Sequence, residues 1–194
     1  MFNNKVQMIM GSIICILVIF LGVFSSLHYF GVKEDERQRQ LFINHLYFSI
    51  DNSIYYIETL MENNNGNESL EYYIRALEKN LLEADASIRY GNMLMDSKLY
   101  PSDFFRHASN FLYGVSMTGS VTADVPPMAD NNELTEIDLA LLNTIKGYLE
   151  NAKQEMYSEQ TKQENPSLTI DELNKIIATH LNNHHSEIYK DAFK

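Results

Sequence analysis

The chain has 194 residues, a length that suffices for one domain of ordinary size plus an anchor. Hydrophobic residues make up 45% of it, and its formal net charge is −11. The excess of acidic side chains repels nucleic acid and anionic lipid headgroups, so nucleic-acid binding is excluded as a function class. The single cysteine, Cys15, lies in an apolar segment, and the rest of the chain has no thiol for a disulfide, a thiolate metal cluster or a cysteine nucleophile.

The N-terminal segment, residues 1–32, predicts a single transmembrane signal-anchor. Its residues 8–27, from Met8 to Leu27, are almost wholly apolar, and such a run crosses a hydrocarbon core of ~30 Å as a helix. Lys5 is its only charged residue. The lipid bilayer is therefore the first expected partner of this chain, through residues 8–27.

A cleavable signal peptide is the alternative for the same segment. Val23 and Ser25 would then stand at the two small-residue positions before the cleavage site. The apolar run is longer than the ~7–15 residues usual for the core of such a peptide, which favours a retained anchor.

The flanks of the span give two indications of orientation. Lys33, Arg37 and Arg39 follow the span, and counted literally they place the C-terminal domain in the cytoplasm. A very short basic tail before an apolar run is instead typical of an exported signal-anchor, and acidic residues interrupt the later bases. We favour a single-pass protein of the cell membrane with an extracytoplasmic C-terminal domain.

Beyond the span, the sequence predicts an all-α fold, in which residues 33–194 form a soluble antiparallel bundle of four to five helices. The first two bundle helices carry apolar residues at steps of three and four, which is the spacing of one helix face. These residues are Ile43, Leu46, Ile50, Ile54, Ile57 and Met61 in the first helix, and Leu70, Ile74, Leu77, Leu81, Ala84 and Ile88 in the second. An Asn-rich break at 63–67 separates the two, and Asn67 or Ser69 is expected to cap the second.

A third, shorter helix is predicted after Pro101, beginning near Ser102 and Asp103. Residues 114–132 follow as one long non-helical loop, because Gly119 and the prolines at 126 and 127 prevent a continuous helix. A loop of this length is expected to be functional or a flexible linker. We find no β-hairpin signal in the sequence.

The fourth and fifth helices are predicted from paired capping residues. Asp130 and Glu133 have the spacing of a capping box at the start of the fourth helix, whose polar end is expected to continue to Pro166. Thr169 and Glu172 repeat that spacing before the last helix, which is expected to run as one element through residue 188.

Tyrosine pairs at 55–56 and 72–73 suggest a ligand site between neighbouring helices. Tyr55, Tyr72 and Phe104 are the residues expected to line a partly polar pocket there. The alternative is that the tyrosines lie at the edge of the core, with the ring buried and the hydroxyl in water.

His180, His184 and Glu187 are the candidate metal ligands. Steps of four and three would place them on one stripe of a single last helix, and two histidines with a carboxylate are a ligand set that zinc accepts. The general-base glutamate of zinc proteases is not present between the histidines, and a structural role for them is the alternative.

Three hypotheses on function follow from these features. The first is a non-enzymatic, membrane-anchored interaction or scaffold protein with a protein partner in the membrane or envelope. Gly22 and Ser26, four residues apart, would also allow homo-oligomerisation through the span. The second is an extracytoplasmic small-ligand sensor, and the third a metal-dependent enzyme. No catalytic residue and no cofactor is predicted, because neither a nucleophile elbow nor a phosphate-binding glycine loop occurs.

Overall fold

The computed structural model of the protein describes residues 2–63, 70–94 and 98–194. The chain is mostly helical, at 72%. Six helices and four short strands occur in these described ranges. In chain order they are α1 (Phe2–Glu62), α2 (Leu70–Leu94), α3 (Phe104–Phe111), β1 (Val115–Met117), β2 (Ala123–Val125), α4 (Glu136–Met156), β3 (Tyr157–Ser158), β4 (Gln163–Glu164), α5 (Ile170–His180) and α6 (His185–Ala192).

The chain divides into two compact units, Met1–Arg39 and Gln40–Lys194. In the first unit, the side chains from Met8 to Val32 are all exposed to solvent. They belong to a helix that is long and apolar enough to cross a membrane, with a mean hydropathy of 2.7 over its most apolar window, none of which is buried. The predicted long apolar N-terminal helix is confirmed.

The second unit has its own hydrophobic core. The five predicted isoleucine and leucine positions of α1, from Ile43 to Ile57, are all buried, and so are all six predicted positions of α2. Met61 is only partly buried and packs against this core. The periodicity therefore identified the inward faces of both helices. The predicted break at 63–67 agrees with the end of α1 at Glu62, whereas the predicted caps Asn67 and Ser69 lie outside the described residues.

The start of α2 is instead held by a residue far along the chain. The backbone N–H of Leu70 donates to Oδ1 of Asn132 at 3.0 Å. Such a bond satisfies one of the amide hydrogens that a helix leaves free in its first turn.

Helix α3 begins where the sequence predicts, after Pro101. The Ser102 hydroxyl accepts from the backbone N–H of Phe104 at 3.3 Å and donates to the carbonyl of Leu181. Phe104, Phe105 and Phe111 are completely buried, so this short helix contributes some of the largest side chains in the core.

The long loop contains a β-hairpin, and the absence of a hairpin signal in the sequence was misleading. Strands β1 and β2 pair antiparallel, with Val115 opposite Val125. Gly114 enters the hairpin at φ +90°, and a Cβ there would approach the carbonyl oxygen of Val125 to 3.0 Å. A left-handed glycine at a crowded position is a signal that a sequence does not show by itself.

Helix α4 begins later than predicted, and the capping box of Asp130 and Glu133 is wrong. The residue that caps the helix is Thr135, whose hydroxyl accepts from the N–H of Asp138 at 3.2 Å, while the Asp138 carboxylate accepts from the N–H of Thr135 at 2.8 Å. The chain between 129 and 132 cannot be helical because Ala129 and Asn132 have φ of 53° and 57°. Asp130 therefore lies in a turn.

Replacement of Thr135 by alanine is expected to destabilise the domain by about 1 kcal/mol, because it removes the acceptor for a helix N-terminal amide. Urea unfolding followed by circular dichroism measures this difference. Asp130→Ala is the matched control, since Asp130 is exposed and caps nothing in the described structure; a change within about 0.5 kcal/mol is expected. An equal loss in both variants would contradict the placement of the cap.

The C-terminal part of the chain differs from prediction at two further points. Helix α4 ends at Met156 and not at Pro166, because the chain turns there into the short hairpin β3–β4, with Tyr157 paired to Glu164. The predicted last helix is two helices, α5 and α6, separated by residues 181–184. The capping box of Thr169 and Glu172 at the start of α5 is confirmed.

Candidate functional site

An open groove of about 990 Å³ lies between α1, the end of α4 and the hairpin β3–β4. Its walls combine aromatic rings, carboxamides and charged groups. The lining residues are Tyr47, Phe48, Asp51, Asn52, Ile54, Tyr55 and Glu58 from α1, Glu150, Asn151, Lys153 and Gln154 from α4, and Tyr157, Lys162 and Gln163 from the hairpin region.

Opposite charges in and beside the groove are already paired. The Lys153 ammonium contacts Asp51 at 2.5 Å and lies 6.0 Å from the centre of the Tyr47 ring. Burial acts to lower the pKa of Lys153, but the hydrogen bond and charge of Asp51 outweigh it and keep the pKa above its ordinary value. Burial also raises the pKa of the Tyr47 phenol. Lys153 is thus a cation held in place in the lining of the groove.

A second set of ion pairs involves two carboxylates of the groove, Glu58 and Glu150. Lys146 contacts the carboxylate of Glu58 at 2.6 Å and that of Glu150 at 3.5 Å, and the hydrogen bond to Glu58 raises the pKa of Lys146. By contrast, four carboxamides make no side-chain hydrogen bond within the described parts of the chain. They are those of Asn52, Asn151, Gln154 and Gln163. Each offers one acceptor and two donors to a bound molecule.

Of the three predicted ligand residues, one lies in this groove. Tyr55 is 60% exposed at its lip. Tyr72 is exposed on α2 and is not among the groove residues. Phe104 is completely buried, with its ring 5.7 Å from that of Tyr148. Ligand binding by these residues stays a prediction, and the cavity next to Tyr55 is an open groove and not a closed pocket.

The three predicted metal ligands have separate partners. His180, at the end of α5, contacts Glu155 through Nε2 and Oε1 at 2.8 Å. Glu187 accepts from the backbone N–H of His184 at 2.9 Å and so caps α6. The stripe does not form on one helix because α5 ends at His180. Metal binding by this set of residues stays a prediction.

His184 instead joins a cluster of three histidines that also contains His107 and His185. The Nε2 of His107 lies 3.0 Å from Nδ1 of His184, and its Nδ1 lies 3.2 Å from Nε2 of His185. The carboxamide nitrogen of Asn110 is also 3.2 Å from that Nε2. We refer to these three imidazoles as the histidine cluster.

Two members of the histidine cluster, His107 and His185, favour the neutral imidazole. Burial, the neighbouring His184 and the charge of Arg106 lower the pKa of His107. Burial, followed by the two other imidazoles, lowers the pKa of His185 to about 4. Like charges in contact and partial desolvation both disfavour the protonated form.

Sequence reasoning missed His107, which comes from α3. No periodicity or spacing relates it to α6, nearly 80 residues later, because the contact depends on how the helices pack. No group of three or more His, Cys, Asp or Glu side chains arranged to hold a metal ion occurs in the described ranges.

Comparison of the chain with known protein families, with curated proteins and with solved structures gave no significant match.

Proposed function

We propose that the chain is a single-pass membrane protein that binds a partner in the membrane or envelope without catalysing a reaction. The observation that carries the proposal is the apolar helical segment from Met8 to Val32, whose side chains are all exposed. An exposed apolar surface of this length is stable in a bilayer and not in water. Next to it in sequence stands a second unit with its own core, as expected of a tethered domain.

In this proposal the second unit is an extracytoplasmic antiparallel bundle that presents the groove to its partner. A buried core rich in aliphatic side chains on α1, α2 and α4 supports such a bundle. The groove supplies what a polar binding surface needs: exposed rings, four carboxamides without a partner in the described structure, and charges held in place by ion pairs. Because these charges are neutralised in pairs, recognition depends mainly on the carboxamides and the rings.

A photo-crosslinking amino acid placed in the groove tests this proposal. At position 154, in place of Gln154, it is expected to give a covalent adduct with another protein in native membranes. Position 83 on α2, occupied by the exposed Glu83 outside the groove, is the matched control and is expected to give no such adduct. Recovery of the uncrosslinked monomer alone from both positions would contradict a protein partner in the groove.

A small-molecule ligand is the second candidate, favoured by the size of the groove. Ligand sites have volumes of about 300–1,000 Å³ and usually join aromatic walls to a few polar groups, as here around Tyr55. Native mass spectrometry of the full chain purified from membranes would then show a bound mass, and Tyr55→Ala would remove it. Tyr90→Ala, which changes an exposed tyrosine of α2 outside the groove, is the control. An unliganded mass for the unaltered protein would exclude this alternative.

A further inference from the structure

We propose that His107 and His184 together form a binding site for a divalent late transition-metal ion such as Zn²⁺. The ligands are Nε2 of His107, on α3, and Nδ1 of His184, the residue before α6. This site is separate from the groove and requires no partner there. It also differs from the ligand set that the spacing in the sequence suggests, since it takes only His184 from that set.

The distance between the two nitrogens already suits a shared ion. Zinc–nitrogen bonds of about 2.0–2.1 Å at angles of about 90–110° separate two ligand nitrogens by about 2.9–3.4 Å. The observed distance from His107 Nε2 to His184 Nδ1 is 3.0 Å. An ion bound by both nitrogens lies to one side of the line that joins them, so each ring turns toward it. The proton on that line moves to Nε2 of His184, so that both ligands are neutral imidazoles with a free lone pair.

The spacing of the rings is compatible with the same pair. A lone pair points from the ring centre through its nitrogen. With the nitrogens 3.0 Å apart, the ring centres are therefore about 4.7 Å apart when both rings aim at one ion and about 5.3 Å apart in a linear hydrogen bond. The rings of His107 and His184 have centres 5.1 Å apart. Those of His107 and His185 are only 4.0 Å apart, which is too close for both to point at one ion.

His185 has a different role, because it positions the ring of His107. A metal-bound histidine normally engages its second nitrogen in a hydrogen bond that fixes the tautomer and the ring orientation. Here the Nδ1 of His107 lies 3.2 Å from Nε2 of His185, and the carboxamide nitrogen of Asn110 lies 3.2 Å from the same Nε2. The second metal ligand, His184, is held through its backbone, because its N–H donates a hydrogen bond to the carboxylate of Glu187.

The chemistry of the donors selects the class of ion. Imidazole nitrogens suit Zn²⁺, Cu²⁺ and Ni²⁺, whereas Mg²⁺ and Ca²⁺ require oxygen ligands. His184 is exposed, which leaves the remaining coordination positions open to water or to a group of a bound partner. Two protein ligands make this an exchangeable site and not a structural zinc centre.

Titration calorimetry tests the proposal. The full chain is stripped of metal, kept in detergent and titrated with ZnCl₂. One Zn²⁺ per chain is expected to bind, and MgCl₂ to give no signal. His107→Gln and His184→Gln are each expected to weaken binding at least tenfold, and His185→Gln about tenfold, as is usual for an outer partner. Zn²⁺ is also expected to raise the melting temperature of the unaltered protein but not of His184→Gln.

His180→Gln is the matched control, because His180 contacts Glu155 and lies outside the histidine cluster. Its Zn²⁺ affinity is expected to equal that of the unaltered chain. His184 is exposed, so its replacement leaves the fold intact and circular dichroism verifies this. Absence of Zn²⁺ binding, undiminished binding in His184→Gln, or loss of binding in His180→Gln would each overturn the proposal.

Discussion

Replacement of Phe104 by alanine is expected to lower the free energy of unfolding by about 3–5 kcal/mol, the range for removal of a fully buried aromatic ring. Phe104 is completely buried, and its ring contacts those of Phe105 and Tyr148 edge-on, with centres 5.4 and 5.7 Å away. The variant loses the transfer free energy of the ring, and a cavity remains because the surrounding helices can close over it only in part. Much of the stability of an ordinary domain would be lost.

Near-ultraviolet circular dichroism of the tyrosines during urea unfolding measures this loss, since the chain has 12 tyrosines and no tryptophan. Tyr72→Ala is the control, because Tyr72 is 66% exposed and a change within about 0.5 kcal/mol is expected there. The comparison of these two variants also distinguishes a role of Phe104 in the core from a role in ligand binding. A stable Phe104→Ala variant that had lost only ligand binding would show that Phe104 is a site residue, against its burial in the core.

The metal-free protein is expected to lose about 2 kcal/mol of stability as the pH falls from about 6.5 to about 4, a figure reduced for the partial solvent exposure of the histidines. The folded state lowers the pKa of His107, and lowers that of His185 to about 4, whereas the unfolded chain has ordinary histidines. Between these pH values the unfolded state binds more protons, so acid favours unfolding. The contribution is present above the ordinary pKa of histidine and is lost as the pH falls through the lowered pKa of about 4 of His185.

Urea unfolding at a series of pH values, with a chelator present, measures this dependence. His185→Gln is expected to flatten the profile between pH 6.5 and 4, and His45→Gln, which changes an exposed histidine of α1, is expected to leave it unchanged. Hydrogen bonds from Thr169 and Lys194 lower the pKa values of Glu172 and Asp191, which moves the titration of these two carboxylates away from that of the histidines. A profile in His185→Gln as steep as that of the unaltered protein would contradict the role of the cluster.

The parts of the fold that depend on local pattern were predictable from the sequence. The buried positions of α1 and α2 follow directly from spacing, since a helix face repeats every three or four residues. The capping box of Thr169 and Glu172 is likewise local, and the structure contains it. The box of Asp130 and Glu133 had the same spacing but failed, because Ala129 and Asn132 adopt left-handed conformations just where that helix would start. Spacing alone does not reveal such a competing turn.

The parts that depend on contacts between distant residues were not predictable. The amide of Leu70 is satisfied by Asn132, and the ring of His184 lies against that of His107 on another helix. The polar stretch after residue 150 was expected to remain helical, but the strand pair of Tyr157 with Glu164 ends the helix at Met156. Tyr55 was identified as a candidate, but the groove beside it depends on how the end of α4 packs against α1.

The central claim, a membrane-anchored domain outside the cytoplasm, is tested most directly by one labelling measurement in living cells. A Ser120→Cys substitution in the exposed turn after β1, made together with Cys15→Ser, gives a single thiol in the domain. Intact cells are treated with a membrane-impermeant thiol reagent, and their membranes are then extracted at alkaline pH. We expect full-length labelled protein in the membrane pellet. Protein released by the extraction, or labelled only after lysis of the cells, would contradict the claim.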